Sequence, residues 1–286
     1  MFIYFNGQIV PKNEASVSVF EHGFLYGVGL FETFRIYEGH PFLLDDHLQR
    51  LNEGLKELLI EKIFTKVEVE EAITLLLNSN GYQNAYIRFN VSAGIGELGL
   101  TTDPYEEPNI IIYTKPLPPA DNDIQEKEAR LLTLRRNTPE GTYRLKSHHF
   151  LNNILAKREI GNRMDVEGLF LTANGDLAEG IVSNLFWVKN KTIYTPSVNT
   201  GILNGITRQF ILKLVAGCEF SIKEGFFKPV ELDSADEIFI TNSIQEVVGI
   251  NRWNNRDYPG KNGEITKYLH SLYRHYSSKI VSRNEL

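Results

Sequence analysis

Four short stretches of this chain carry residue types that could do chemistry. The first is RLKSHHFLNNILAKR, Arg144 to Arg158. Here Lys146 follows the turn-rich NTPEGTY and precedes Phe150, Leu151, Ile154 and Leu155 at helical spacing. The pattern predicts a helix over 146–160 with Lys146 at its entrance. A low-pKa amine held there could condense with a carbonyl group; the plain alternative is a solvated surface lysine. The second is NGDLAEGIVSNLFWV, where Glu179 stands between Ala178 and Gly180 with little other charge nearby. Its carboxylate could accept a hydrogen bond from a protonated ring nitrogen, or face water in a turn. The third is TGILNGITRQFILKLVAGC, in which Gly201 and Gly205 lead into a helix with Phe210, Ile211, Leu214, Val215 and Cys218 on its apolar face. Glycines at a helix start leave backbone N–H groups at the positive end of the dipole, an anion site. Ile206 and Thr207 would supply those groups, and Thr207 a hydroxyl. The fourth is HLQRL, where Arg50 could bind a phosphate through two parallel hydrogen bonds, with Gly54 expected to leave space one turn away.

The elements that must position these residues follow from local pattern. FIYF and QIV flank Asn6-Gly7, a two-residue hairpin signal. Gly23, Gly27 and Gly29 break helical order, and a strand runs from Leu30 to Tyr37. Phe31, Thr33 and Arg35 share one of its faces; Glu32, Phe34 and Ile36 share the other. A helix over 41–60 has Leu44, Leu48, Leu51, Leu55 and Leu58 as its core stripe, with Leu43, His47, Arg50 and Gly54 on a second stripe. A helix over 66–79 follows. The strand AYIRFNVSAG then sets Tyr86, Arg88 and Asn90 on one face, and 109–115 is a further strand. PLPPADND marks the best domain boundary. The expected division is a smaller domain over 1–116, a linker over 117–123 and a larger domain over 124–286. Strands over 129–135 and 168–172, the strand ending at Thr241, and a helix near 265–278 complete the second half. The fold class is α/β, with an α+β first domain and an α/β second domain.

Composition narrows the function classes. The chain has 286 residues, 42% apolar and 23% charged, an ordinary globular balance. A net charge of −6 and the lack of a basic tract argue against a nucleic-acid partner. The apolar runs are too short for a membrane span, and MFIYFNGQIV lacks the basic start of a secretory leader. No Cys/His spacing suggests a metal. The single cysteine, Cys218, fits a reducing cytoplasm and sits where a buried, inert thiol is expected.

The ordered set RLKSHHFLNNILAKREI, AEGIVSNLFW and TPSVNTGILNGITR, with HGFLYGVGLFETFR and HLQRL before it, resembles the fold-type IV pyridoxal-phosphate enzymes. This class-IV aminotransferase group holds branched-chain and D-amino-acid aminotransferases and 4-amino-4-deoxychorismate lyases. The resemblance spans essentially the whole chain. It implies pyridoxal 5'-phosphate (PLP) as cofactor, held in a cleft between two α/β domains of a D-amino-acid-aminotransferase-like fold, and a homodimer. Lys146 matches the lysine that binds the cofactor covalently and carries a proton. Glu179 matches the acid on the ring nitrogen, and Arg50, Ile206 and Thr207 match the phosphate ligands. Thr241 resembles a further phosphate contact, and Thr33 lies near the position of a hydroxyl beside the cofactor. RRNTPEGTYRLKSHHFLNN and EGIVSNLFW are most similar to the lyases of Bacillus type. The branched-chain tyrosine five residues after the lysine is Leu151 here, and the serines after the glutamate are Ile181 and Val182. The lyase activity implied is release of 4-aminobenzoate, a folate precursor, and pyruvate; the alternative is amino transfer, and a remote one is cofactor binding without turnover. The lyase substrate carries two carboxylates, for which Arg35, Arg88, Arg135, Arg136 and Arg144 are candidates. His148 and His149 are expected to be structural.

Overall fold

The computed structural model describes residues 1–120 and 123–286, so 121 and 122 of the expected linker 117–123 lie outside the described residues. The chain forms two compact units. One comprises Met1–Ala120, Leu145–His149 and Ser277–Glu285; the other comprises Asp121–Arg144 and Phe150–Tyr276, with Leu286. Within the expected second domain of 124–286, the segment carrying Lys146 and the C-terminal tail belong to the first compact unit.

In the first unit, β1 (Phe2–Phe5) and β2 (Gln8–Pro11) close through Asn6 and Gly7. Both turn residues have positive φ, 44° and 91°, the twist that a two-residue hairpin requires. With β3 (Gly29–Tyr37), β4 (His40–Pro41), β5 (Ala85–Ser92) and β6 (Asn109–Pro116) they make a six-stranded antiparallel sheet, ordered β2-β1-β6-β5-β3-β4. A single turn, α1 (His22–Leu25), precedes β3. Period-two alternation turns Leu30, Phe34 and Ile36 of β3 and Ile87, Phe89 and Val91 of β5 into one core. Over it lie α2 (Leu44–Glu57), through Leu44, Leu48, Leu51 and Leu55, and α3 (Lys66–Asn80), through Val69, Ile73 and Leu76. Thr65 caps α3 by accepting from the Glu68 N–H, and Gly81 ends it at φ 68°. The sheet's other face carries Phe31, Thr33, Arg35, Tyr86, Arg88 and Asn90, with Thr33 directly opposite Arg88. Gly54 does not open space beside Arg50 as expected. A Cβ there would lie 2.5 Å from a Leu30 methyl, so the glycine admits close packing of α2 on β3.

The second unit holds β7 (Glu126–Leu131), β8 (Val166–Leu171), β9 (Leu177–Gly180), β10 (Asn184–Lys189), β11 (Thr192–Pro196), β12 (Ser221–Gly225), β13 (Glu237–Asn242), β14 (Glu246–Trp253) and β15 (Arg256–Asp257). They form a mixed nine-stranded sheet in which β7 lies parallel to both β14 and β8, and β11 parallel to β12. The first strand begins three residues earlier than the expected 129–135, because its register is set by these parallel partners and not by local alternation. Leu169, Leu185, Trp187, Ile240, Val248 and Trp253 are among its core residues. The helices are α4 (Leu151–Ile160), α5 (Ile206–Ala216), α6 (Val230–Asp233) and α7 (Glu264–Tyr276), and Phe210 of α5 meets Tyr273 of α7 edge-on at 5.8 Å.

The Lys146 segment departs most from expectation. The helix starts at Leu151, not 146, and the segment before it meets β3 through an isolated antiparallel bridge of Ser147 with Leu30. The Phe31 N–H donates to Lys146 O at 2.9 Å and the His148 N–H to Gly29 O at 3.0 Å. The glycines expected only to break helical order explain this. A Cβ at Gly29 would overlap the His148 ring, and one at Gly27 would come 2.7 Å from His149 Cδ2. The two imidazoles occupy the space where side chains would stand, and backbone pairing with β3 outweighs local helical spacing. In α4, Asn153 and Ala156 are buried, while Leu151, Ile154 and Leu155 are 65%, 45% and 40% exposed. The apolar stripe read from sequence is therefore not the face this unit buries.

Replacement of Gly29 by alanine would force the added methyl against His148 and against Val91 O, 2.7 Å away. Overpacking of this kind costs about 1–3 kcal/mol, so Gly29→Ala should melt several degrees below the wild type. An unchanged unfolding midpoint would show that the 145–149 segment does not depend on this close approach.

Candidate active site

The first unit gathers Lys146, Phe31, Arg88, Thr33 and Arg50. Backbone pairing with β3 brings the Lys146 amine to 4.5 Å from the centroid of the Phe31 ring, and Arg88 stacks on the same ring with Cζ at 3.6 Å. Thr33, half-buried, is two residues along the same strand face. His148 Nε2 lies 3.1 Å from Asn90 Oδ1, and burial, with Arg88 next in effect, pushes its imidazole down to about 4. His148 is therefore neutral at physiological pH and serves as a spacer in the wall. His149 Nε2 is 3.3 Å from Tyr26 O. Arg35, expected as a substrate ligand, donates from Nη2 to Pro118 O at 2.6 Å and lies over Tyr37. Arg50, on α2, presents Nε and Nη2 to the carboxylate of Glu32 at 2.8 and 2.7 Å.

The second unit gathers Glu179, Arg144, Ile206, Thr207 and Thr241. Glu179 lies on β9 and is almost fully buried. Oε1 accepts from Arg136 Nε at 2.8 Å, and Arg144 Nε stands 3.8 Å away. Oε2 accepts from the Leu203 N–H at 3.0 Å and from Asn184 Nδ2 at 3.5 Å. Backbone, amide and guanidinium donors thus surround the carboxylate. Arg136 is itself fixed: Nη1 donates to the side-chain oxygens of Asn152 and Asn153, and the guanidinium lies over Phe170. Arg144 donates from Nε to Gly201 O at 2.6 Å and from Nη2 to Asn137 O. Burial, then Arg136, brings its guanidinium down to about 10. Arg136 and Arg144, both read from sequence as possible substrate ligands, are thus built into the support of Glu179.

At the start of α5, Gly205 is the N-cap and offers no side-chain hydrogen bond, so first-turn N–H groups are left for a partner from outside the helix. A Cβ at Gly205 would overlap Asn184 Oδ1, which fixes this residue as glycine. Asn184 ties the loop down through Leu203 O at 2.9 Å and pairs in register with Thr241. Thr241 Oγ1 is buried, and among the described residues it has no hydrogen-bond partner. Thr207 Oγ1 lies 3.2 Å from Ser243 Oγ, two residues beyond Thr241. An uncapped helix start, an unsatisfied buried hydroxyl and a second hydroxyl form a cradle suited to a phosphate. With a buried, cation-supported carboxylate in the same unit, this donor set fits PLP.

Two contributors were not assigned these roles from sequence: Glu32, as the partner of Arg50, and Arg136, as a partner of Glu179. A signal existed for Glu32, since an acid on the core side of a strand beside Phe34 and Ile36 must have a partner. None existed for Arg136, whose partner lies 43 residues away in sequence. Among the described residues no helix is long and apolar enough to cross a membrane.

Comparison with known proteins agrees with this geometry. Residues 29–253 match the family described as amino-transferase class IV. The chain is 47% identical over 274 residues to aminodeoxychorismate lyase of Bacillus subtilis, covering 95% of this chain and 93% of that protein. The crystal structure of the branched-chain aminotransferase of Thermoproteus uzoniensis with norvaline superposes with a TM-score of 0.86 at 26% identity, covering 97% and 94% of the two chains. The 4-amino-4-deoxychorismate lyase structure from Pseudomonas aeruginosa gives 0.82 at 26% identity, covering 96% and 98%. The chain belongs to the class IV aminotransferase family, with the fold of the type IV PLP enzymes.

Proposed function

We propose that the chain is a PLP-dependent carbon–oxygen lyase that converts 4-amino-4-deoxychorismate into 4-aminobenzoate and pyruvate, a step toward folate. The observation that carries this reading is the 47% identity to the Bacillus subtilis lyase across 95% of the chain. The donor sets around Lys146, Glu179 and α5 support the cofactor on which it depends.

In this reading Lys146 is the point of covalent attachment. Ile206 and Thr207 hold the phosphate through N–H groups, Thr207 and Thr241 through hydroxyls, and Arg50 through its guanidinium. Glu179, held in place by Arg136 with Arg144 beside it, would accept a hydrogen bond from the protonated ring nitrogen. When bound, PLP supplies an electron sink for the bond broken at the amine-bearing carbon of the substrate. The displaced Lys146 Nζ, unprotonated, takes the proton from that ring carbon. The bond from the neighbouring carbon to the enolpyruvyl oxygen breaks, and its electron pair leaves on oxygen. Lys146 returns a proton to the methylene carbon of the enolate, which gives pyruvate, and the remaining ring becomes aromatic. Arg88, stacked beside Lys146 over Phe31, is the best placed of the expected substrate arginines to meet a carboxylate. Arg35 is a second candidate and Thr33 an orienting hydroxyl. Arg144, committed to Gly201 O and Asn137 O, contributes through Glu179.

An aminotransferase would use the same cofactor residues, and the likeness to branched-chain enzymes keeps that reading as the alternative. The proposal also takes the chain to be a homodimer in the cytoplasm. The exposed Leu151, Ile154 and Leu155 on α4 support self-association, and a single cysteine suits a reducing compartment.

Purified protein given 4-amino-4-deoxychorismate should release 4-aminobenzoate and pyruvate in equal amounts. Glutamate formed from D-alanine or L-leucine with 2-oxoglutarate, without aminobenzoate, would establish the aminotransferase instead. Lys146→Ala should lose the yellow colour of the covalently bound cofactor, and turnover should drop by about 10²–10⁴-fold or more; a variant that stays yellow and active excludes Lys146 from this role. The double replacement of Ile154 by lysine and Leu155 by glutamate should shift the protein toward monomer in light scattering, and an unaltered mass would remove α4 from the interface.

A further inference from the structure

β3 turns Glu32 toward the core of the first unit, on the side shared by Leu30 and Phe34, where it is 1% exposed. An ionised carboxylate in such a place is expensive unless paired and hydrogen-bonded. One helix supplies both partners. Arg50 donates Nε to Oε1 at 2.8 Å and Nη2 to Oε2 at 2.7 Å. His47, three residues earlier on α2, places Nδ1 2.6 Å from Oε2. Burial alone would push the Glu32 carboxyl up, but Arg50 and His47 outweigh it and bring it to about 2. Because a carboxylate only accepts, His47 Nδ1 is the donor. Burial pushes the His47 imidazole down despite the nearby acid, so it stays neutral.

The trio is then one cation, one anion and one neutral ring, with no net charge. Glu32 and His47 add no attraction for an anion, and Glu32 alone would repel one. Their physical effect is orientation. A forked pair locks the guanidinium plane into the plane of the carboxylate and so fixes the orientation of the whole group. His47 holds the second carboxylate oxygen, so the fork cannot rotate about the Glu32 side chain.

We propose that Glu32 and His47 are positioning residues that aim Arg50 at the phosphate group of the cofactor. This rests on the reading of Arg50 as a phosphate ligand. A buried ion pair that only stabilises the fold would change stability, but it would not distinguish a phosphorylated ligand from its unphosphorylated counterpart.

The test compares binding of PLP and of pyridoxal, which lacks the phosphate, to cofactor-depleted protein, by calorimetry. In Glu32→Gln one amide oxygen replaces the forked acceptor. The dissociation constant for PLP should rise on the order of 10–100-fold, the cost typical of losing a supporting partner, while that for pyridoxal stays near the wild-type value. His47→Leu should weaken PLP less, and His47→Gln, which keeps a donor toward Glu32, should restore most of the loss. Equal weakening of both ligands, or tighter PLP binding in Glu32→Gln, overturns the inference. Arg50→Ala separates the two levels: if it leaves the PLP-to-pyridoxal ratio unchanged, the reading of Arg50 itself fails. If it lowers the ratio and Glu32→Gln does not, only the positioning role fails. Should Glu32→Gln not fold, the two His47 variants decide, and a wild-type ratio in His47→Leu overturns the proposal.

Discussion

A charged carboxylate persists inside a protein only where cations and N–H groups replace the water it has lost. Each unit of this chain holds a buried carboxylate ringed by donors beside the candidate site. Glu32 in the first is clasped by Arg50 and His47, and Glu179 in the second by Arg136, the Leu203 amide and Asn184, with Arg144 just beyond. In both places removal of one partner would strand a buried charge, so the surrounding elements are constrained together. For Glu179 the constrained elements are the strand carrying it, the loop before α5 and the start of α4, to which Arg136 is tied through Asn152 and Asn153. The acid that fits the ring nitrogen and the helix start that fits the phosphate are therefore held in one hydrogen-bonded framework.

Lys146 is positioned by another device. The 145–149 segment is bonded to β3 at Lys146 and His148 and is locked by two histidine rings seated over glycines. A segment tied to a strand in this way offers a firmer base for a reactive amine than a helix entrance would. Lys146 O and the His148 N–H are both bonded to β3, whereas helix ends fray. The same face presents Arg88 to the Phe31 ring, so two cations share one aromatic surface.

Most of the candidate site is composed of residues with little freedom. Gly205 cannot carry a side chain because Asn184 occupies that space, and Asn184 also holds Leu203 and borders Glu179. The one buried hydroxyl without a partner among the described residues that lies beside this cradle is Thr241. An unsatisfied polar group next to an uncapped helix start is the signature of a site shaped for a ligand, because a fold optimised for stability alone would satisfy both.

The sequence by itself determined the chemistry and much of the framework. The order of Lys146, Glu179 and the glycine-led helix identifies the family, and the Asn6-Gly7 turn, the leucine stripe of α2 and the alternation of β3 are local signals that the fold obeys. The tertiary structure alone decided how the arginines are used. Arg136, Arg144 and Arg50 look alike as sequence, yet each is committed by a partner distant in the chain or on another element. It also decided that Lys146 lies on an irregular segment bonded to β3, since helical spacing in Phe150–Leu155 is a local property and the pull of Gly27, Gly29 and β3 is not. Periodicity reports which side of an element is apolar, whereas the destination of a charge depends on which other charge the fold brings to it.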